Sequence, residues 1–180
     1  ICPLCTRAEY AQANTCSPLP GGDVMVTVRA LNLIFIIDGE TKAVKWEYQD
    51  LGLGHPHDAH VLENGNVLVF ANGFHGRHAD LWSRVIEFDA ETRETQWEYT
   101  ADPITSLYSG NISGAQRLWS GNTLICEGGK GCLFEVTPAG EIVWEYVSPY
   151  NVHHSVFGEV NWIFRAQRYP PDAPELQGRF

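Results

Sequence analysis

No apolar run in this sequence approaches the roughly 20 residues that a bilayer-spanning helix requires. Positive charge is scarce as well: 12 lysines and arginines stand against 22 acidic residues, a net charge of −10. That balance argues against nucleic acid as a partner, because a phosphate backbone is met by a basic face. It leaves room for a small anionic ligand held by a few local cations. Sustained helical periodicity is also missing, so the chain is not expected to be built on amphipathic helices. Cysteine is sparse, at five residues. Cys2 and Cys5 form a C-x-x-C, but no second such pair follows and no βαβ pattern surrounds it, so neither a zinc site nor a redox motif is supported. Cys2, Cys5 and Cys16 are read as staples of the N-terminal segment. Cys126 and Cys132, in "CEGGKGC", are read as a cross-strand pair suited to a disulfide. On these grounds an exported compartment, periplasmic or extracellular, is favoured over the cytoplasm. The chain begins at Ile1 rather than Met, which reads as a processed product or a fragment.

What is present is a folded, repetitive chain. Of its 180 residues 44% are hydrophobic and 12% aromatic, which suffices for one domain with a core. Trp-Glu-Tyr occurs at Trp46, Trp97 and Trp144, with starts 51 and 47 residues apart. The same grammar precedes each occurrence. Gly with Asp or Asn opens an apolar run ("GDVMVTVR", "GNVLVFANG", "GNTLICEGG"). A second apolar strand ends in turn residues ("NLIFIIDGET", "SRVIEFDAET", "CLFEVTPAG"), and the tryptophan strand closes the unit. With the short segment before each Gly, every unit holds four strands bounded by turn chemistry. A repeat near 50 residues with four strands is the pattern of a β-propeller blade. The fold is therefore all-β, with antiparallel four-stranded blades at about 8–48, 55–99 and 112–146. A closing strand is expected near 160–170, and 171–180 form a C-terminal arm. Three to four blades are fewer than a closed propeller uses, so the remaining blades are expected from another segment or chain. The repeated tryptophan is read as packing between blades.

In a propeller the innermost strand of each blade lines the central channel. Eight residues before the anchoring Gly22, Gly65 and Gly121 stand Asn14, His57 and Ser113; ten before stand Gln12, His55 and Asn111. Positions two apart share a face of a strand, so these six polar residues are expected at a common channel rim. Arg29, seven residues after Gly22, breaks an apolar strand and is a candidate anion clamp; Asn72 and Gly128 are its equivalents. Arg117 is a second cation near the rim. His55, His57 and His60 with Asp58 raise a metal reading, but His60 belongs to the opposite face of a regular strand. Asp58, directly after His57, should point away from it unless the strand bulges. His153 and His154 are read as an exposed turn. No cofactor is called for. The quinone of quinoprotein propellers lacks its adjacent cysteines and calcium ligands here, and a structural calcium at a turn carboxylate is compatible with the pattern.

These segments resemble the arylsulfate sulfotransferase family. "PHDAHVLENGNVLVFANG" is similar to that family's Gln-His-Asp, Asn-Gly-Asn and Asp-Asn-Gly segment, and "NTCSPLPGGDVMVTVRALNLIFIIDGETKAVKWEY" to its preceding blade. "ISGAQRLWSGNTLICEG" and "NWIFRAQRYPPDAPEL" look like closing blades, so the likeness runs over about residues 10–176. The resemblance implies a six-bladed propeller that moves a sulfuryl group from an aryl sulfate to a phenol, through a sulfated histidine and without a nucleotide donor. It implies His57 as nucleophile, Arg29 as the sulfate-binding arginine and Asn14 as the asparagine of a His-x-Asn pair; together with the rim register, Gln12, Asn14, His55 and Ser113 are the expected substrate-binding positions. Gln12 departs from the family, which has histidine there. The alternative is a non-enzymatic propeller subunit that has lost its site.

Overall fold

The computed structural model describes residues 10–74 and 81–179; Cys2, Cys5 and the first residues of the expected first blade lie outside them. The three Trp-Glu-Tyr repeats form three four-stranded antiparallel sheets, each with its strands side by side in chain order. The first holds β1 (Ala13–Pro18), β2 (Val24–Val28), β3 (Leu33–Ile37) and β4 (Val44–Gln49). The second holds β5 (His57–Val61), β6 (Val67–Ala71), β7 (Arg84–Phe88) and β8 (Thr95–Tyr99). The third holds β9 (Gly114–Arg117), β10 (Thr123–Glu127), β11 (Cys132–Val136) and β12 (Ile142–Val147). The turns follow their residues. Gly65 and Gly121 take φ of 87° and 85° between first and second strands, where a Cβ would be strained. Asp38 Oδ1 accepts from the Glu40 and Thr41 amides, and Asp89 Oδ1 from those of Glu91 and Thr92, the local Asx bonding that closes such turns. Those amides hold both carboxyls below the usual aspartate range.

The second strand of each sheet is sandwiched between its sheet neighbours and the adjacent sheets, so β6 and β10 are buried at every position. That is why they read as unbroken apolar runs rather than alternating ones. The cores lie between sheets. Met25 and Ile34 of the first pack with Ala59, Val67, Val69, Ile86 and Phe88 of the second. Leu68, Phe70, Val85 and Tyr99 pack with Ala115, Ile125, Phe134 and Val136 of the third. The tryptophans bridge neighbouring sheets: Trp46 Nε1 donates to Ala90 O and Trp97 Nε1 to Pro138 O, each at 2.9 Å. Arginines cover the rings, Arg93 at 4.4 Å from the Trp46 centroid and Arg117 at 4.6 Å from that of Trp97. The third repeat differs. β12 is exposed along its whole length, and Trp144, 40% exposed, has Arg168 over its ring at 4.8 Å and Tyr146 stacked beside it. Among the described residues the ring of sheets is not closed.

After β12 a hairpin of β13 (Val152–His154) and β14 (Gly158–Val160) leads into residues 161–170, which form no strand. The expected closing strand is instead an irregular segment laid against the third sheet. Ile163 N donates to Gly128 O (3.1 Å), Ser113 N to Phe164 O (3.0 Å) and Arg168 N to Gln116 Oε1 (2.8 Å). The tail carries a single 3-10 turn, Pro174–Leu176. The cross-strand disulfide does not form: Cys16, Cys126 and Cys132 are free thiols. The tight turn pairs Glu127 with Cys132 and Cys126 with Leu133, so the two sulfurs project from opposite faces of the hairpin.

Candidate active site

Local backbone chemistry sets the site. The chain enters the inner strands through left-handed residues, Gln12 at φ 47° and His55 at φ 69°. Pro56, its own φ fixed by the ring, leads into His57, the first residue of β5. From His57 opposite Phe70 the register steps to His60 opposite Leu68, leaving one extra residue on β5, with Asp58 at φ 58°. This is a β-bulge, and it breaks the two-residue alternation of side chains.

His57 lines a cavity of about 440 Å³ together with Gln12, Ala13, Asn14, Arg29, Asn111, Ile112 and Phe164. The volume suits a small organic ligand. The ring is 4% exposed. Its Nδ1 lies 2.8 Å from Asn72 Oδ1 and 3.1 Å from His55 O. Asn72 Nδ2 donates to Ser109 O and Ile112 O, at 2.7 and 2.9 Å, which fixes the amide so that Oδ1 faces the histidine. Both neighbours of Nδ1 are acceptors, so Nδ1 carries the proton and Nε2 holds a lone pair. Among the described residues nothing hydrogen-bonds Nε2. Burial pushes the imidazole down to about 4; the bonds to Asn72 and His55 O oppose that, and the charge of Arg29 adds to it. At neutral pH the ring is uncharged.

Arg29 follows β2, and its Nη1 donates to Gln12 Oε1 at 2.9 Å while the two backbones bond at 3.0 Å. Asn14 Nδ2 donates to Pro56 O at 2.8 Å, so it ties the first sheet to the loop that presents His57. The arrangement therefore offers an uncharged ring nitrogen and a guanidinium to one cavity.

Of the positions expected at the rim, His57, Arg29, Gln12, Asn14 and Asn111 line this cavity, and His55 and Ser113 do not. His55 is buried with its ring 5.4 Å from Phe74, and its amide donates to Asn32 Oδ1 at 2.6 Å. Its left-handed backbone turns the side chain off the face that His57 uses. Ser113 is also left-handed, and its Oγ accepts from Gly128 N at 2.9 Å. That leaves the wall to its neighbours Asn111 and Ile112. His60 lines a separate pocket of about 340 Å³ with Asp58, Gln116, Arg117 and Arg165. The three histidines thus diverge, and among the described residues no three metal-binding side chains converge. His153 is exposed beside Glu159 Oε1 at 3.1 Å, in the hairpin. The repeat register places Asn72, as the equivalent of Arg29 one blade on, but assigns it no role; Ala13 and Ile112, which also line the cavity, were not anticipated. Phe164 comes from the irregular segment and had no signal.

The sequence profile of the family described as Arylsulfotransferase (ASST) matches residues 7–149. No curated protein matches the chain with significance. Among solved structures, a protein of unknown function from Bacteroides caccae is similar at a TM-score of 0.56 and 15% identity, over 77% of this chain and 46% of that one. A streptogramin B lyase gives 0.55 and 17%, over 78% and 42%. Virginiamycin B lyase from Staphylococcus aureus gives 0.53 and 18%, over 82% and 44%. At such identities the likeness is one of fold, and the fold is the β-propeller. The chain spans less than half the length of each of these structures.

Proposed function

Because the chain belongs to the arylsulfotransferase family, we propose that His57 relays a sulfuryl group from an aryl sulfate to a phenol. The observation that supports this reading is the fixed tautomer: Asn72 holds the proton at Nδ1 and leaves a lone pair on Nε2, in a histidine that lines the same cavity as Arg29. In the first step Nε2 attacks sulfur and an S–N bond forms. The S–O bond to the aryl oxygen breaks, and the phenolate departs to take a proton from solvent. The sulfated ring is cationic, and the Asn72 and His55 carbonyl oxygens accept from its Nδ1–H. In the second step an acceptor phenol attacks sulfur as it gives its proton to solvent, the S–N bond breaks, and neutral His57 returns.

Such a transfer depends on positioning and on charge at the peripheral oxygens. A guanidinium suits those oxygens with paired donors, and Arg29 is the cation lining the cavity. Gln12 orients Arg29 through Oε1 and contributes no charge of its own. An exported setting and further blades completing the channel belong to the same reading. The test is intact-mass analysis after incubation with 4-nitrophenyl sulfate. Wild type should gain one sulfuryl group and His57→Ala none. Absence of the adduct in wild type would favour a propeller that binds without reacting, and an equal adduct in His57→Ala would remove His57 as the nucleophile.

A further inference from the structure

Residue pairs 57–58 and 164–165 lie against each other, although 107 positions separate them. The Phe164 ring stands edge-on to His57, at 6.3 Å and 76°, and forms a wall of its cavity. Next to it, Arg165 Nη1 donates to Asp58 Oδ1 at 3.0 Å. Asp58 is almost fully buried, its amide donates to Thr15 Oγ1 at 3.0 Å, and the bulge turns its carboxylate toward the third sheet. The carboxylate passes through space that Gly114 leaves open, since a Cβ there would overlap Asp58 Oδ2. In the preceding sheet the corresponding residue is Thr15, so the acid belongs to the His57 strand alone of the three. Residues 161–170 have no strand ladder to hold them. Their backbone bonds and the Arg168 contacts run to the third repeat; the ion pair, with its carboxylate buried and its guanidinium partly exposed, ties them to Asp58 of the second sheet.

We propose that the Asp58–Arg165 pair is a latch that seats Phe164 against His57 and makes Phe164 the aryl-facing wall of the cavity. Asp58 and Arg165 are then positioning residues, and Phe164 determines selectivity for the ring of the ester. The kinetic part rests on the sulfuryl-transfer reading; the structural part does not.

The structural part is tested by NMR titration of the His57 imidazole in wild type, Arg165→Gln, Asp58→Asn and Phe164→Ala. Asn tolerates the left-handed backbone of Asp58. The charged and titratable groups near His57 are Arg29 after β2, His55, Asp58 and His60 around β5, and Arg165 on the returning segment. If the latch dries the ring, all three variants admit water, and the midpoint rises from about 4 toward the free value. If the pair acts through charge alone, Arg165→Gln raises the midpoint and Asp58→Asn lowers it. A lowered midpoint in Asp58→Asn, or no change in Arg165→Gln, overturns the latch. Arg165 is partly exposed, so Arg165→Gln decides the matter if Asp58→Asn does not fold. The kinetic part predicts KM for 4-nitrophenyl sulfate raised about tenfold in Arg165→Gln and Phe164→Ala, with kcat changed less. If wild type forms no adduct while the titrations shift together, the latch stands and the proposed transfer falls. Unchanged KM in an active Phe164→Ala removes its assignment as the aryl wall.

Discussion

The buried state of His57 makes folding stability depend on acid in a way that can be isolated. Its folded value is about 4, against about 6.5 for an exposed histidine. Between these values the unfolded chain binds a proton that the folded chain refuses, so stability falls as pH falls and is complete above about pH 7. For a gap of about 2.5 units, linkage gives a loss of about 2 kcal/mol by pH 5 and about 3 kcal/mol by pH 4. Other groups titrate in this window. Burial raises the Asp58 carboxyl, which acts with the opposite sign. A comparison with His57→Gln cancels such groups to first order, because glutamine does not titrate. Urea unfolding of both proteins near pH 7.5 and near pH 5 yields two stability differences. The wild-type advantage should shrink by about 2 kcal/mol at the lower pH. An advantage that stays constant to within about 0.5 kcal/mol would show that the ring is not held neutral by burial, and the argument for a ready nucleophile would fail with it.

Asn72→Ala removes the nearer of the two acceptors at His57 Nδ1, so single-turnover adduct formation should fall roughly a hundredfold, read by rapid-quench mass analysis; an unchanged rate refutes the positioning role. Gln12→His returns the family's histidine beside Arg29 and should raise the same rate severalfold; a fall or no change would show that the neutral amide is not what limits this site. Trp97→Phe loses the bond to Pro138 O and should cost about 1 kcal/mol in urea unfolding, whereas Trp144→Phe on the uncovered face should stay within about 0.5 kcal/mol. Equal costs would contradict the difference between covered and uncovered repeats.

The blades were legible because their determinants are local. Glycines at Gly65 and Gly121, aspartates at Asp38 and Asp89 and the spaced tryptophans each act within a few residues, and the strands formed where those signals bound them. The cysteine pair failed for a register reason. Six positions separate Cys126 from Cys132, but the 3-10 turn over Gly128–Lys130 pairs Glu127 with Cys132, and one position of slip exchanges faces. The site obeyed the repeat register where side chains met it from regular strands. Arg29 and Asn72, seven residues after their glycines, both reached His57, one as a charge and one as an acceptor. His55 failed because counting by twos assumes extended backbone, and the left-handed residue at 55 ends that assumption. Phe164 and Arg165 were out of reach of any local rule: their segment reads as a closing strand, and the residues that place them stand 107 positions away.

The same burial acts on two adjacent residues with opposite chemical results. It drives the proton off His57 and toward Asp58, because each change removes a charge from a dry environment. Asp58 resists through Arg165, which pulls its carboxyl back down. His57 meets no such counter-charge, and Arg29 reinforces the loss of its proton. In the proposed transfer that one cation would serve two ends: it adds to the burial that keeps the ring unprotonated, and it would attract an anionic ester. A bound ester's negative charge would offset that of Arg29 and raise the basicity of the ring. Sulfur would then stand where a proton would add, so the gain in basicity would fall on the attacking lone pair. A hydrated histidine at the same place would spend its lone pair on water and protons, so in that reading the walls of the cavity bear on the chemistry as directly as the groups that would touch the ester.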